Sequence, residues 1–205
     1  MERQENRRST QLVKLPAEFE NIKSSFTEGL AYIFEPRTGL YTFDMMREVI
    51  NHEIQGYRQS AGKEHYSIPV TVVAITVPTA RHDLELTDKV ALALQKATRG
   101  ADCVGRFDHY FASVLRWAEA KDAMKSYVPR IQGLLEFEIN AKPYFGVAGV
   151  SEHQPKSAYQ LLMQAFTGLK AGLREDNQVV MYNHRMPPLL REDLTQENVL
   201  NARSA

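Results

Sequence analysis

A chain of 205 residues is long enough for one domain with a substantial core plus extensions. Its 25 basic residues balance 25 acidic ones, so no global positive field exists to hold nucleic acid or an anionic membrane. No apolar run approaches a membrane span. The start, Met1 to Arg8, has no apolar stretch behind it and does not read as a secretory signal. The single Cys103 cannot form an internal disulfide, so a reducing cytoplasm is the expected location.

Residues 1–15 are polar. From Ala17 to Phe34 the apolar residues Phe19, Ile22, Phe26, Leu30 and Ile33 recur at three- and four-residue steps, which predicts an amphipathic helix needing a partner. That partner is either the domain body or a second copy of the chain. Glu35 to Leu40 is rich in turn residues. Phe43 to Tyr57 predicts a helix with Met46, Val49, Ile50 and Ile54 on one face. Ile68 to Val77 is a nearly continuous β-branched run and predicts a buried central strand, with Pro69 at its start. Thr87-Asp88 reads as a helix N-cap, with the helix over Val90 to Thr98 ending at Gly100.

Cys103 to Phe107 and Tyr110 to Trp117 predict a hairpin turning at Asp108-His109. A helix follows from Glu119 to Glu136, with Pro129 as a kink or break. Pro143 to Val150 predicts a strand. Pro155 to Leu173 predicts a helix with Tyr159, Leu162, Ala165, Phe166 and Leu169 on one side. Gln178 to Tyr182 is the last strand. The tail from Asn183, with Pro187-Pro188, reads as irregular. The order helix, strand, helix, hairpin, helix, strand, helix, strand predicts a ferredoxin-like α+β fold, with helices against a mostly antiparallel sheet. It divides the chain into an extension at 1–34, a domain at 35–184 and a tail at 185–205.

Several short motifs in this order carry a resemblance. Glu35-Pro-Arg-Thr-Gly-Leu40 resembles the Asp-Pro-Leu-Thr-Gly-Leu opening of the GGDEF domain family, the bacterial diguanylate cyclases. Phe145-Gly-Val-Ala148 is similar to that family's Ile-Gly-Val-Ala strand, and Leu161 to Val179 resembles its last helix and strand, with Asn177 at the Asn of Gly-Arg-Asn. Arg106-Phe107 and Asp108 to Phe111 fall where Arg-Tyr-Gly-Gly-Asp-Glu-Phe belongs. The likeness covers about residues 35–182 and implies a nucleotide-cyclase-type fold.

The resemblance also implies a lost activity. The family joins two GTP molecules into cyclic di-GMP with two divalent metals, which want hard carboxylate oxygens. Here the strand residues that match the family's metal-binding acid are Ile75 and Val77, both apolar, and Tyr110 stands at the signature Glu. Asp108 and His109 replace its neighbours and one glycine is deleted, so the backbone cannot approach a phosphate as glycine allows. Thr42, Phe43 and Asp44 replace the usual Asn-Arg-Arg, and Leu173 sits where a phosphate-contacting Lys is expected. No catalytic residue and no metal is therefore expected. Asp88 matches a guanine-reading Asp of the family, although by itself it reads as an N-cap.

What the resemblance retains is an Arg-x-x-Asp pair, Arg99 and Asp102. In the family this pair lies shortly before the signature and forms the inhibitory, product-binding site. A guanidinium fork can donate twice to a guanine O6/N7 edge, and a carboxylate can accept from its N1–H and amino groups. Arg130 lies near the second Arg that joins this site, and Arg106 is a further cation for phosphate. The ordinary alternative for Arg99 and Asp102 is a surface pair at a helix end, with Arg99 complementing the helix dipole. The six histidines show no metal-ligand spacing.

Two functions compete. In the first, an inactive GGDEF-like domain binds cyclic di-GMP through Arg99, Asp102, Arg130 and Arg106 and acts on a protein partner. In the second, a ligand-independent interaction or dimerisation module, joined through the N-terminal helix, keeps only the fold.

Overall fold

A computed structural model of the chain describes residues 29–60, 68–155 and 157–186. Five strands form one sheet: β1 Val70–Thr76, β2 Cys103–Phe107, β3 Tyr110–Arg116, β4 Tyr144–Gly149 and β5 Val179–Met181. Their order across the sheet is β2-β3-β1-β4-β5. Three pairings are antiparallel and only β4–β5 is parallel. This is the predicted α+β architecture, with β1 at the centre.

Every residue of β1 is buried, and the two-residue period of a strand sends alternate side chains to opposite faces. Val73, Ile75, Phe111, Leu115, Phe145 and Val147 join one apolar cluster. Val70, Val72, Ala74, Tyr110, Val114 and Ala148 join the other. A sheet covered on both faces explains why the strand sequences are continuously apolar.

Helices α1 Phe43–Ser60 and α6 Ala158–Glu175 cover the second cluster, with a short α5, Val150–His153, between β4 and α6. Met46, Ile50 and Ile54 are buried as predicted, while Val49 lies at the margin. Ser157 caps α6 by accepting from the Gln160 N–H at 3.2 Å, and Asn51 of α1 accepts from the Ala158 N–H at 3.0 Å. Leu162, Ala165, Phe166 and Leu169 face inward, but Tyr159 is exposed, contrary to the predicted stripe. Tyr159 lies in the first turn of the helix, one residue after Ala158, which is fully buried in its place.

Helix α2 Leu84–Ala97 belongs to the first cluster. It begins earlier than predicted. A 3-10 turn, Pro78–His82, leads into Asp83, whose carboxylate accepts from the Leu86 N–H at 2.9 Å. Thr87 lies inside the helix, its hydroxyl donating to the Ala80 and Asp83 carbonyls. Asp and Thr are both good caps, and the proline-led turn decides between them.

The predicted helix around Pro129 is also altered. A short α3 Ala120–Asp122 runs through a π-helical stretch, Ala123–Tyr127, into α4 Val128–Ile139. Pro129 lacks an N–H and its ring crowds the carbonyl of the preceding turn. It therefore opens α4 just after the wider π turn, rather than breaking the helix.

Of the predicted N-terminal helix, residues 29–33 are helical; residues 1–28 lie outside the described residues, as does the tail from 187. No helix among the described residues is long and apolar enough to cross a membrane.

Candidate ligand pocket

Arg99, Gly100, Ala101 and Asp102 connect the end of α2 to β2. The Asp102 N–H donates to the Arg99 carbonyl at 2.9 Å, closing a tight turn. Asp102 then sits opposite the end of β3, because β2 and β3 pair with Cys103 against Val114. Its Oδ1 accepts from the Arg116 backbone N–H at 3.0 Å, replacing the ladder bond a further strand residue would make. The Arg116 side chain donates from Nη1 to the Ala101 carbonyl at 3.0 Å. Its Nε forms an ion pair with Glu53 of α1 at 2.8 Å, but off the N–H axis, so the contact is electrostatic and not a hydrogen bond. Arg116 thus clips the loop to the sheet and to α1.

Arg99, Asp102 and Arg116 line a pocket of about 100 Å³ together with Trp117, Ser126, Tyr127 and Arg130. Tyr127, buried at its side, exchanges a hydrogen bond with Ser113 of β3 at 2.6 Å. The Arg130 guanidinium lies over the Tyr127 ring, 5.5 Å from its centroid, a cation–π contact. The π-helical stretch supplies Ser126 and Tyr127, and such stretches often mark functional sites. Burial pushes the Asp102 carboxyl above its ordinary value, against the opposing pull of the Arg116 N–H and of Arg99, Arg116 and Arg130.

Arg99, Asp102 and Arg130, 31 residues apart at the extremes in sequence, are therefore neighbours on one pocket. Arg106 is not. It lies at the hairpin end of β2, where Nη1 pairs with Glu35 at 3.2 Å and Nε donates to the Asp108 carbonyl at 2.7 Å. Alternation along β2 and these two acceptors turn it toward the Glu35 turn, so it lines no part of the pocket. Arg116, Trp117 and Tyr127 were not legible as site residues. One signal was available: Trp117 is the only tryptophan and follows an apolar strand.

The hairpin tip is a separate place. Asp108 adopts φ 58° at the turn, a conformation Asp tolerates better than most residues. Its Oδ2 lies 2.8 Å from His109 Nδ1. Burial pulls the His109 imidazole below its usual value, against the raising effect of that contact. Tyr110 is buried with its ring edge-on to Phe166, centroids 5.5 Å apart, and burial pushes its phenol up to about 12. Ile75 pairs with Phe111 and Phe145 across the sheet and is fully buried, as is Val77. Asp88 accepts both arms of Arg37, at 2.7 and 2.8 Å. Burial would raise the Glu35 carboxyl, but Thr38, the Arg37 N–H and Arg106 hold it below its usual value. Burial raises the Cys103 thiol, which keeps it protonated. Among the described residues no three His, Cys, Asp or Glu side chains gather as a metal site.

By sequence, no family model and no curated protein matches the chain. By structure, the fold is that of a GGDEF domain. The coiled coil and GGDEF domain of DgcB from Caulobacter crescentus, in complex with cyclic di-GMP, superposes with TM-score 0.64 at 12% identity, covering 80% of this chain and 94% of that one. The FimX GGDEF domain from Pseudomonas aeruginosa gives 0.60 at 19% identity, covering 73% and 98%. The diguanylate cyclase SiaD from the same organism, in complex with its activator SiaC, gives 0.60 at 19% identity over 80% of this chain and 68% of that one.

Proposed function

We propose that the chain is a member of the GGDEF family that has lost cyclase activity, binds cyclic di-GMP through Arg99, Asp102 and Arg130, and passes the bound state to a protein partner. The observation that carries this reading is the convergence of those three side chains on one pocket. The Arg99 fork matches the O6/N7 edge of guanine. Asp102 accepts from N1–H and the amino group, and Arg130 adds a second guanidinium for the other base or a phosphate. Cyclic di-GMP in the complex of the similar DgcB domain adds support.

The inactive half of the reading rests on the other end of the sheet. Ile75 and Val77 offer no side-chain oxygen, Tyr110 is committed to the core, and Asp88 is held bidentately by Arg37. The partner half rests on helical residues 29–33, where Leu30 and Tyr32 are 40% and 54% exposed. The same residues suit the ligand-independent interaction module, in which the pocket is empty of purpose.

Calorimetric titration of the full chain with cyclic di-GMP separates the two. Saturable heat at micromolar ligand is expected, and Arg99→Ala is expected to abolish it. No heat, or undiminished binding by Arg99→Ala, overturns the receptor reading.

A further inference from the structure

Trp117 is 65% exposed and has a backbone φ of 56°. The left-handed region is rare for a bulky side chain and is kept only where the surroundings impose it. Here they do. On one side the Arg116 N–H is bound by Asp102. On the other, the Ala118 N–H donates to the Pro69 carbonyl at 3.2 Å and the Ala118 carbonyl accepts from Thr71 Oγ1 at 2.7 Å. The chain is thus pinned on both flanks of a strained residue, and the strain turns a large indole outward at the pocket mouth instead of into the core.

The size of the pocket gives the indole a task. At about 100 Å³ it is well below the ~300–1,000 Å³ of a cavity that encloses a ligand. A dinucleotide must therefore lie across the mouth with only a base edge inserted, and its base faces meet the rim. Arg99 and Arg130 make that rim cationic around Asp102, the one carboxylate among its lining residues, while Arg116 is already paired with Glu53.

We propose that Trp117 is the stacking platform of this pocket, taking the face of one purine of a cyclic purine dinucleotide while Arg99 and Asp102 read its edge. This rests on the receptor reading above and adds a residue that the Arg-x-x-Asp pair does not contain. Stacking serves any base, so Trp117 contributes affinity and Asp102 contributes the preference for guanine.

The test uses the full chain and two signals. Trp117 is the only tryptophan, so its emission reports this ring and no other. Cyclic di-GMP is expected to quench it with the same midpoint as the calorimetric heat. Trp117→Phe is expected to retain most of the affinity. Trp117→Gly suits the positive φ and so keeps the fold; it is expected to lose affinity roughly 5- to 150-fold, the range for one base on one ring, while its melting temperature is unchanged or higher. Heat with unchanged emission, or Trp117→Gly binding as the wild type does, overturns the platform and leaves the receptor reading standing. No heat with the wild-type chain overturns both.

Discussion

Asp102 is where the chemistry of the pocket is most exposed to pH. Burial raises its carboxyl, so it takes up a proton at a higher pH than an ordinary Asp. The sign follows from linkage. A folded-state value above the unfolded one means the ionised form costs stability at neutral pH, and that cost is relieved as pH falls through the raised value toward the ordinary range. Ligand binding runs the other way, because a protonated carboxyl loses an acceptor for guanine N1–H. Affinity for cyclic di-GMP is therefore expected to fall on mild acidification while thermal stability holds, measured by titration and melting across the same pH series. Asp102→Asn keeps an oxygen for the Arg116 N–H and removes the buried charge. It is expected to melt no lower than the wild type, yet to bind less tightly by about 1.5–3 kcal/mol, the contribution of a hydrogen bond to a charged group. At this scale Arg99 and Asp102 were legible, because a turn brings them together locally. Arg106 was misplaced because sequence proximity to a site does not say which way a strand residue faces.

Among the elements, the tightest junction is β4 against α6. A Cβ on Gly146 would lie 2.0 Å from the Ala165 carbonyl oxygen and 2.2 Å from the Leu169 N, both backbone atoms of the helix. Backbone cannot swing aside as a side chain can, so Gly146→Ala is expected to destabilise the fold by about 3 kcal/mol or more, read by urea unfolding. The Gly of Phe145-Gly-Val-Ala148 is thus a packing requirement, which explains its place in the motif without any ligand. Element existence was legible along the described residues, since period-two and period-3.6 patterns survive tertiary context. Boundaries were not. Both Asp83 and Thr87 can cap a helix, and the 3-10 turn at Pro78–His82 chooses Asp83. Likewise a proline signals a disturbance, but only packing of Tyr127 against Ser113 places a π turn before Pro129.

For the whole molecule, the sheet separates two regions that sequence places side by side. The Arg99–Asp102 pocket lies at one end of β2 and β3; the Asp108 hairpin lies at the other. Near the hairpin, an exposed Arg37–Asp88 pair adds little stability, as half-exposed pairs do. Its consequence is occupancy: both oxygens of Asp88 are already engaged. Purified protein with GTP and Mg²⁺ or Mn²⁺ is accordingly expected to yield no cyclic di-GMP, by chromatography of the products. Clean turnover would reverse the assignment of Ile75, Val77 and Tyr110 as losses.

By itself the sequence determined the order of elements, the doubly covered sheet and the Arg-x-x-Asp pair, because each rests on spacing along a few neighbouring residues. Only the tertiary structure decided which distant residues complete the pocket. Arg116 and Trp117 come from the end of β3 and Tyr127 from the π turn, and they join Arg130, which the resemblance had already implied. They meet Asp102 through strand register and helix packing, which depend on long-range pairing that no local pattern encodes.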